Sequence, residues 1–220
     1  MEEKNLQLER TVFFCDAVVA IAITLLAFNL KVVKNGNSHL TFKDIASQWR
    51  VFAAFLLSFF NIANFWRTHH MFFAHIKKMD EKLLWYNICW LLFIITLPFS
   101  TTLVSSDFFD TPAICTYSFN MLMVSVFQNN IWDYACEKPE FLRQEKIHPL
   151  IIRITRIFCN LDMINALIAI AISFFWPGIA FIVLFTKLPT VLLARIYFIR
   201  KGINVRPGFE LPGKDEKEPE

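Results

Sequence analysis

The sequence predicts an all-α, polytopic membrane protein with six transmembrane helices per subunit. Three observations lead there. First, the 220-residue chain is 55 % hydrophobic and 19 % charged, whereas soluble domains run nearer about 45–50 % and about 25 %. Second, the charges leave long stretches of chain empty, and 25 phenylalanines crowd the sequence. A soluble core of this length cannot hide so much apolar surface without a lipid or partner face. Third, the basic residues gather in alternate connections, the pattern of a chain threaded back and forth through a bilayer. The net charge of +3 leaves no basic footprint, so no nucleic-acid partner is expected.

A spanning helix needs ~20 largely apolar residues. Such runs fall at about 11–30, 51–73, 83–104, 112–134, 157–176 and 179–199. The first run follows an acidic start (Met1-Glu2-Glu3-Lys4), carries Asp16, and lacks a small-residue cleavage site. It reads as a retained span rather than a signal peptide. The fourth is the most polar, with Asn120, Gln128, Asn129 and Asn130; amides within a span face other helices and hydrogen-bond there.

Lys77, Lys78 and Lys82 join the second and third spans. Lys138, Arg143, Lys146, Arg153 and Arg156 join the fourth and fifth, and Arg200, Lys201 and Arg206 follow the sixth. The intervening turns hold Asp107 and Asp110, or only Trp176-Pro177-Gly178, while Lys31, Lys34 and Lys43 dissent on the other side. The positive-inside rule then predicts a multi-pass protein of the cell membrane with both termini cytoplasmic. Residues 1–201 are expected to form one six-helix unit, and 202–220, rich in Pro, Gly, Lys and Glu, a solvated tail.

Cys15, Cys89, Cys115, Cys136 and Cys159 are scattered singly, which predicts neither a disulfide framework nor a zinc site. His69, His70 and His75 lack the His-x-x-x-His spacing of a helical metal site, so no metal and no cofactor are expected. No nucleophile–base cluster points to an enzyme. Lys187 and Asp162 lie at compatible depths in the last two spans and either pair or snorkel.

The first span is the informative one. A charge inside a span costs about 2.5–3.5 kcal/mol on insertion scales, so Asp16 needs a reason to be there. At 100° per residue, Asp16, Ala20, Ile23 and Ala27 form one stripe, expected to pack on neighbouring helices. The opposite stripe is Phe14, Ala17, Ile21, Thr24, Leu25 and Phe28. Arg10 and Asp16 are ~9 Å apart along the axis and poorly placed for each other. Their expected partners are on the second span, where Ser58, Asn61 and Thr68 make a polar stripe with Trp66 and His69 nearby.

Arg10-Thr11-Val12-Phe13-Phe14-Cys15-Asp16 resembles the RxxxFSD motif that opens the transmembrane protein 175 family, endolysosomal potassium channels and their prokaryotic relatives. The likeness runs on through Ala17 to Leu26 and resumes at Phe65-Trp66-Arg67-Thr68-His69-His70, similar to the family's Trp-x-x-His-His run. Cys15 departs from the motif's Ser and is a weaker hydrogen bonder. The resemblance implies a homotetramer of single-repeat subunits, with the motif helix lining a pore for potassium and other monovalent cations. It places a hydrophobic constriction at Ile21, a threonine ring at Thr24, and further apolar rings at Leu25 and Phe28. Arg10, Phe14, Asp16, Trp66 and His69 are then structural motif residues.

A filter of backbone carbonyls depends on glycines. Only Gly178 of the five lies beside an expected span, so selectivity is left to side chains or trapped water. A secondary transporter is the competing reading, with Pro98 and Pro189 interrupting two spans; a proton leak through the pore is another.

Overall fold

The computed structural model describes residues 2–31, 39–143 and 149–200. The expected tail beyond Gly202, with Lys34, Lys146, Lys201 and Arg206, lies outside the described residues. The helices are α1 (Glu2–Ala27), α2 (Phe42–Ser47), α3 (Trp49–His75), α4 (Glu81–Ser106), α5 (Thr111–Glu137), α6 (Pro149–Ser173) and α7 (Pro177–Arg200). Four of them are long and apolar enough to cross a membrane: α1 from Leu6, α3, α4, and α6 from Ile152.

The helix ends follow from local chemistry. Short α2, absent from the sequence expectation, opens with a capping box: the Asp44 N–H donates to Thr41 Oγ1, and the Thr41 N–H donates back to the Asp44 carboxylate. Asp80 caps α4 by accepting the Leu83 N–H. Prolines open or closely follow the start of α5, α6 and α7, where a missing N–H costs nothing. Pro98 sits inside α4, and its carbonyl also accepts from the Asn29 amide just past α1.

α4 and α5 form the centre of the bundle, with α3 and α6 packed beside them, α7 against α6, and α1 against α3 and α4. Trp90, Trp132, Tyr117, Phe65 and Phe72 are fully buried, and Phe72 stacks on Trp132 at 4.6 Å. The outer surface is also apolar: Phe60, Leu92, Ile95, Phe99, Phe119 and Leu167 are exposed. Such a surface suits hydrocarbon rather than water.

Several polar residues of the interior are paired between helices. Ser58 lies 2.6 Å from the Thr101 hydroxyl, and both Ser58 and Asn61 reach Tyr117. These two residues therefore serve α4 and α5, not α1 as the sequence suggested, while Thr68 donates to the Asn64 carbonyl of its own helix. Gln128 accepts from the Trp90 indole, and Asn129 donates to Asn160. Lys187 and Asp162 form an ion pair at 3.2 Å, both largely buried, with the ammonium over the Phe65 ring. Pairing rather than snorkelling is thus the outcome.

The basic end of the bundle is tied together by backbone. Ile76 and Leu142 form a β-bridge, the Lys77 N–H donates to the Phe141 carbonyl, and the Arg143 N–H donates to the His75 carbonyl.

Candidate functional site on the first helix

Every fourth or third residue of α1 from Cys15 onward (Cys15, Val19, Ala22, Leu26) is buried against α3 and α4. This face lies one residue earlier than the stripe expected from the wheel. Asp16 and Ile23 sit half-buried at its edge, and Ala20 and Ala27 are exposed. The packing is fixed by polar contacts as well as by volume. The Trp66 indole N–H donates to the Asp16 carboxylate at 2.8 Å, joining α1 to α3. The Asn87 amide donates to the Cys15 sulfur at 3.0 Å, and Asn87 Oδ1 lies 2.7 Å from His69 Nε2. The His69 ring stacks on Trp90 at 4.2 Å. One chain of contacts thus runs from Cys15 through α4 to α3 and on to the core tryptophan.

Asn87 was not singled out from sequence. The signal available was an amide inside an apolar span, a residue that needs a partner across helices. Cys15 keeps the contact that a serine at this position could make, with sulfur as the acceptor. Arg10 is exposed and joins neither Asp16 nor α3; among the described residues it makes no hydrogen bond or ion pair. It borders a cavity of about 580 Å³ with Lys78 and Glu81.

Among the described residues, nothing covers the opposite face of α1. Phe14 is 61 % exposed, Ile21 58 %, Leu25 42 % and Phe28 75 %, and Ala17 and Thr24 are exposed between them. Phe14, a motif residue, lies on this exposed face, as the wheel placed it. Phe28 lies one residue past the helix end, its N–H donating to the Leu25 carbonyl. The Thr24 hydroxyl donates to the Ile21 carbonyl at 2.8 Å, as Thr commonly does within a helix. Its hydrogen is committed to the backbone, and the residue is exposed.

Residues 10–98 match the family described as "Endosomal/lysosomal potassium channel TMEM175". A potassium channel of Chryseobacterium sp. is 29 % identical over 171 residues, 76 % of this chain and 83 % of that protein. A potassium channel of Chamaesiphon minutus is 28 % identical over 137 residues, 60 % of this chain and 68 % of that protein. The crystal structure of a lysosomal potassium-selective channel TMEM175 homolog from Chamaesiphon minutus superposes with a TM-score of 0.70 at 25 % identity, covering 89 % of this chain and 97 % of that one. A variant of the potassium channel MtTMEM175, solved with a nanobody–MBP fusion, shares the fold at a TM-score of 0.58 and 16 % identity over 86 % of this chain and 92 % of that one. The matched region, the relatives and the shared fold make this chain similar to the TMEM175 family, a family of ion channels and not of enzymes.

Proposed function

We propose that this chain is one subunit of a homotetrameric potassium channel in the cell membrane, with six spanning helices, both termini cytoplasmic, and a pore lined by the free face of α1. The observation that carries the reading is that face: an exposed stripe of Ile21, Thr24, Leu25 and Phe28 that no other described residue of the bundle covers. One subunit supplies one such stripe, so a closed ring requires several copies about an axis. Ile21 side chains converging there form a constriction that gates by dewetting. Thr24 lies one turn further along, and its exposed hydroxyl oxygen, whose hydrogen is held by the Ile21 carbonyl, is suited to accept a partly hydrated monovalent cation.

The relatives named as potassium channels support potassium as the permeant ion. The motif residues act behind the pore: Asp16 with Trp66, and Cys15 with Asn87 and His69, hold α1 at a fixed rotation. The test is cation flux from proteoliposomes under potassium and sodium gradients. Wild type should pass potassium in preference to sodium. Thr24→Ala should still close but lose up to about tenfold of that preference, the equivalent of one neutral polar contact per permeating ion. A wild type that passes no potassium, or a Thr24→Ala variant of unchanged preference, counts against the reading.

A further inference from the structure

At the end of the bundle opposite the basic connections, an apolar groove of about 720 Å³ opens between α3, the α4–α5 turn and the α6–α7 turn. Trp49, Ala53, Phe109, Trp176 and Phe185 line it. Its volume falls in the range of ligand sites, about 300–1,000 Å³. Gly178 keeps the Phe109 wall in place, since a Cβ there would sit 2.8 Å from that ring.

At the edge stands Arg50. Its guanidinium lies 5.9 Å from the Trp49 ring centre and 5.7 Å from that of Phe109, two residues of the groove itself. Among the described residues it has no ion pair or hydrogen bond. Tryptophans and a cation at one level of an apolar bundle mark the headgroup boundary of a bilayer. A cation beside a groove between helices is matched to an anionic head group, and a guanidinium holds phosphate through paired N–H donors. The walls offer almost no hydrogen-bonding partner, so a peptide laid in the groove would strand its backbone groups. A hydrocarbon chain has none to strand.

We propose that the groove holds an acyl chain of a phospholipid whose phosphate is bound by Arg50. The inference rests on the chain being embedded in a bilayer and is independent of which ion crosses the pore.

The probe is phosphatidylglycerol with dioleoyl chains, added to the delipidated full-length protein in mild detergent and read by native mass spectrometry. Wild type should retain the lipid. Arg50→Ala should lower its occupancy roughly tenfold, the loss of one charge-assisted contact. Ala53→Trp, which fills the groove and leaves Arg50 intact, should also lose it. Dioleoylglycerol, lacking the phosphate, should compete poorly.

Equal occupancy in Arg50→Ala, or equal binding of dioleoylglycerol, overturns the proposal. So does an Ala53→Trp protein that splits into smaller species, because the groove's occupant is then a neighbouring copy. Should Ala53→Trp fail to fold, tryptophan quenching by brominated phosphatidylglycerol decides between wild type and Arg50→Gln. Stronger quenching in wild type supports the site, and equal quenching removes it.

Discussion

Trp66 bonds Asp16 from α3 through a single indole N–H. A hydrogen bond to a charged group contributes about 1.5–3 kcal/mol. Trp66→Phe keeps most of the ring and removes the donor, so the detergent-solubilised protein should lose stability by about that much. Its potassium-to-sodium ratio should not change, because the contact lies behind the free face of α1. Thermal melts and flux on the same variant check both halves. Asn87 is the second fixed point. Asn87→Leu leaves the buried His69 without its amide partner and should cost about 1–3 kcal/mol. Cys15→Ser, by contrast, should hold or raise the melting temperature, since a hydroxyl accepts from Asn87 at least as well as a thiol. Asp16, Trp66 and His69 were legible because they belong to two runs of fixed spacing, whereas Cys15 read only as a departure from the first. Arg10 was legible as part of that first run, yet its expected contact with α3 is not made within the described residues.

Among the elements, α1 teaches most about what a sequence wheel resolves. The free stripe with Ile21, Thr24 and Leu25 was readable, because it carries the bulky apolar residues and the one hydroxyl. The packing stripe was misplaced by one residue, or ~100° of rotation. Alanines at 17, 20, 22 and 27 surround the helix and make several faces look suited to close packing. What decides among them is the set of partners, Asn87 above all, and those come from another helix. Helix α2 was missed because its six residues are shorter than any periodic signal; its capping box was there to be read.

The connections at the basic end show a clasp that only the fold brings together. Asp80 accepts from Tyr134 Oη, from Lys138 Nζ and from the Leu83 N–H. Partial desolvation pushes its carboxyl up, but these three bonds outweigh it and bring the pKa down to about 2 from an ordinary 3.8. The bonds to Tyr134 and Asp80 hold the Lys138 ammonium above the usual lysine range. A depressed carboxylate contributes stability that is complete above pH 3.8 and fades as pH falls toward 2. The melting-temperature gap between wild type and Asp80→Asn should therefore stay constant from about pH 5 to 8 and shrink only below about pH 4. A gap that changes near neutrality would assign the titration to another group.

At the scale of the whole molecule, the bundle has an apolar interior, an apolar exterior, and one helix whose exposed face combines apolar side chains with a hydroxyl. The first two properties were legible from composition, because lipid accepts what water rejects. The helix order within the bundle was not, since nothing in an apolar span names its neighbour; Asn129 with Asn160, and Lys187 with Asp162, do so only once their depths are known. The proposed assembly predicts a tetramer as the main species in native mass spectrometry, and a monomer as the sole species would remove the pore.

In the proposed pore the Ile21 face of α1 lines the axis. Cation flux through proteoliposomes containing Ile21→Asn or Ile23→Asn decides whether it does. Ile21 is exposed on the free face, whereas Ile23 is half-buried against the core of its own subunit. Asparagine at 21 should wet the constriction, so conductance rises and discrimination between potassium and sodium falls. Asparagine at 23 should instead lower stability and the yield of assembled protein, by about 1–3 kcal/mol for an unmatched buried amide. Increased flux through Ile23→Asn together with unchanged flux through Ile21→Asn would contradict the account, for α1 would then present its other face to the pore.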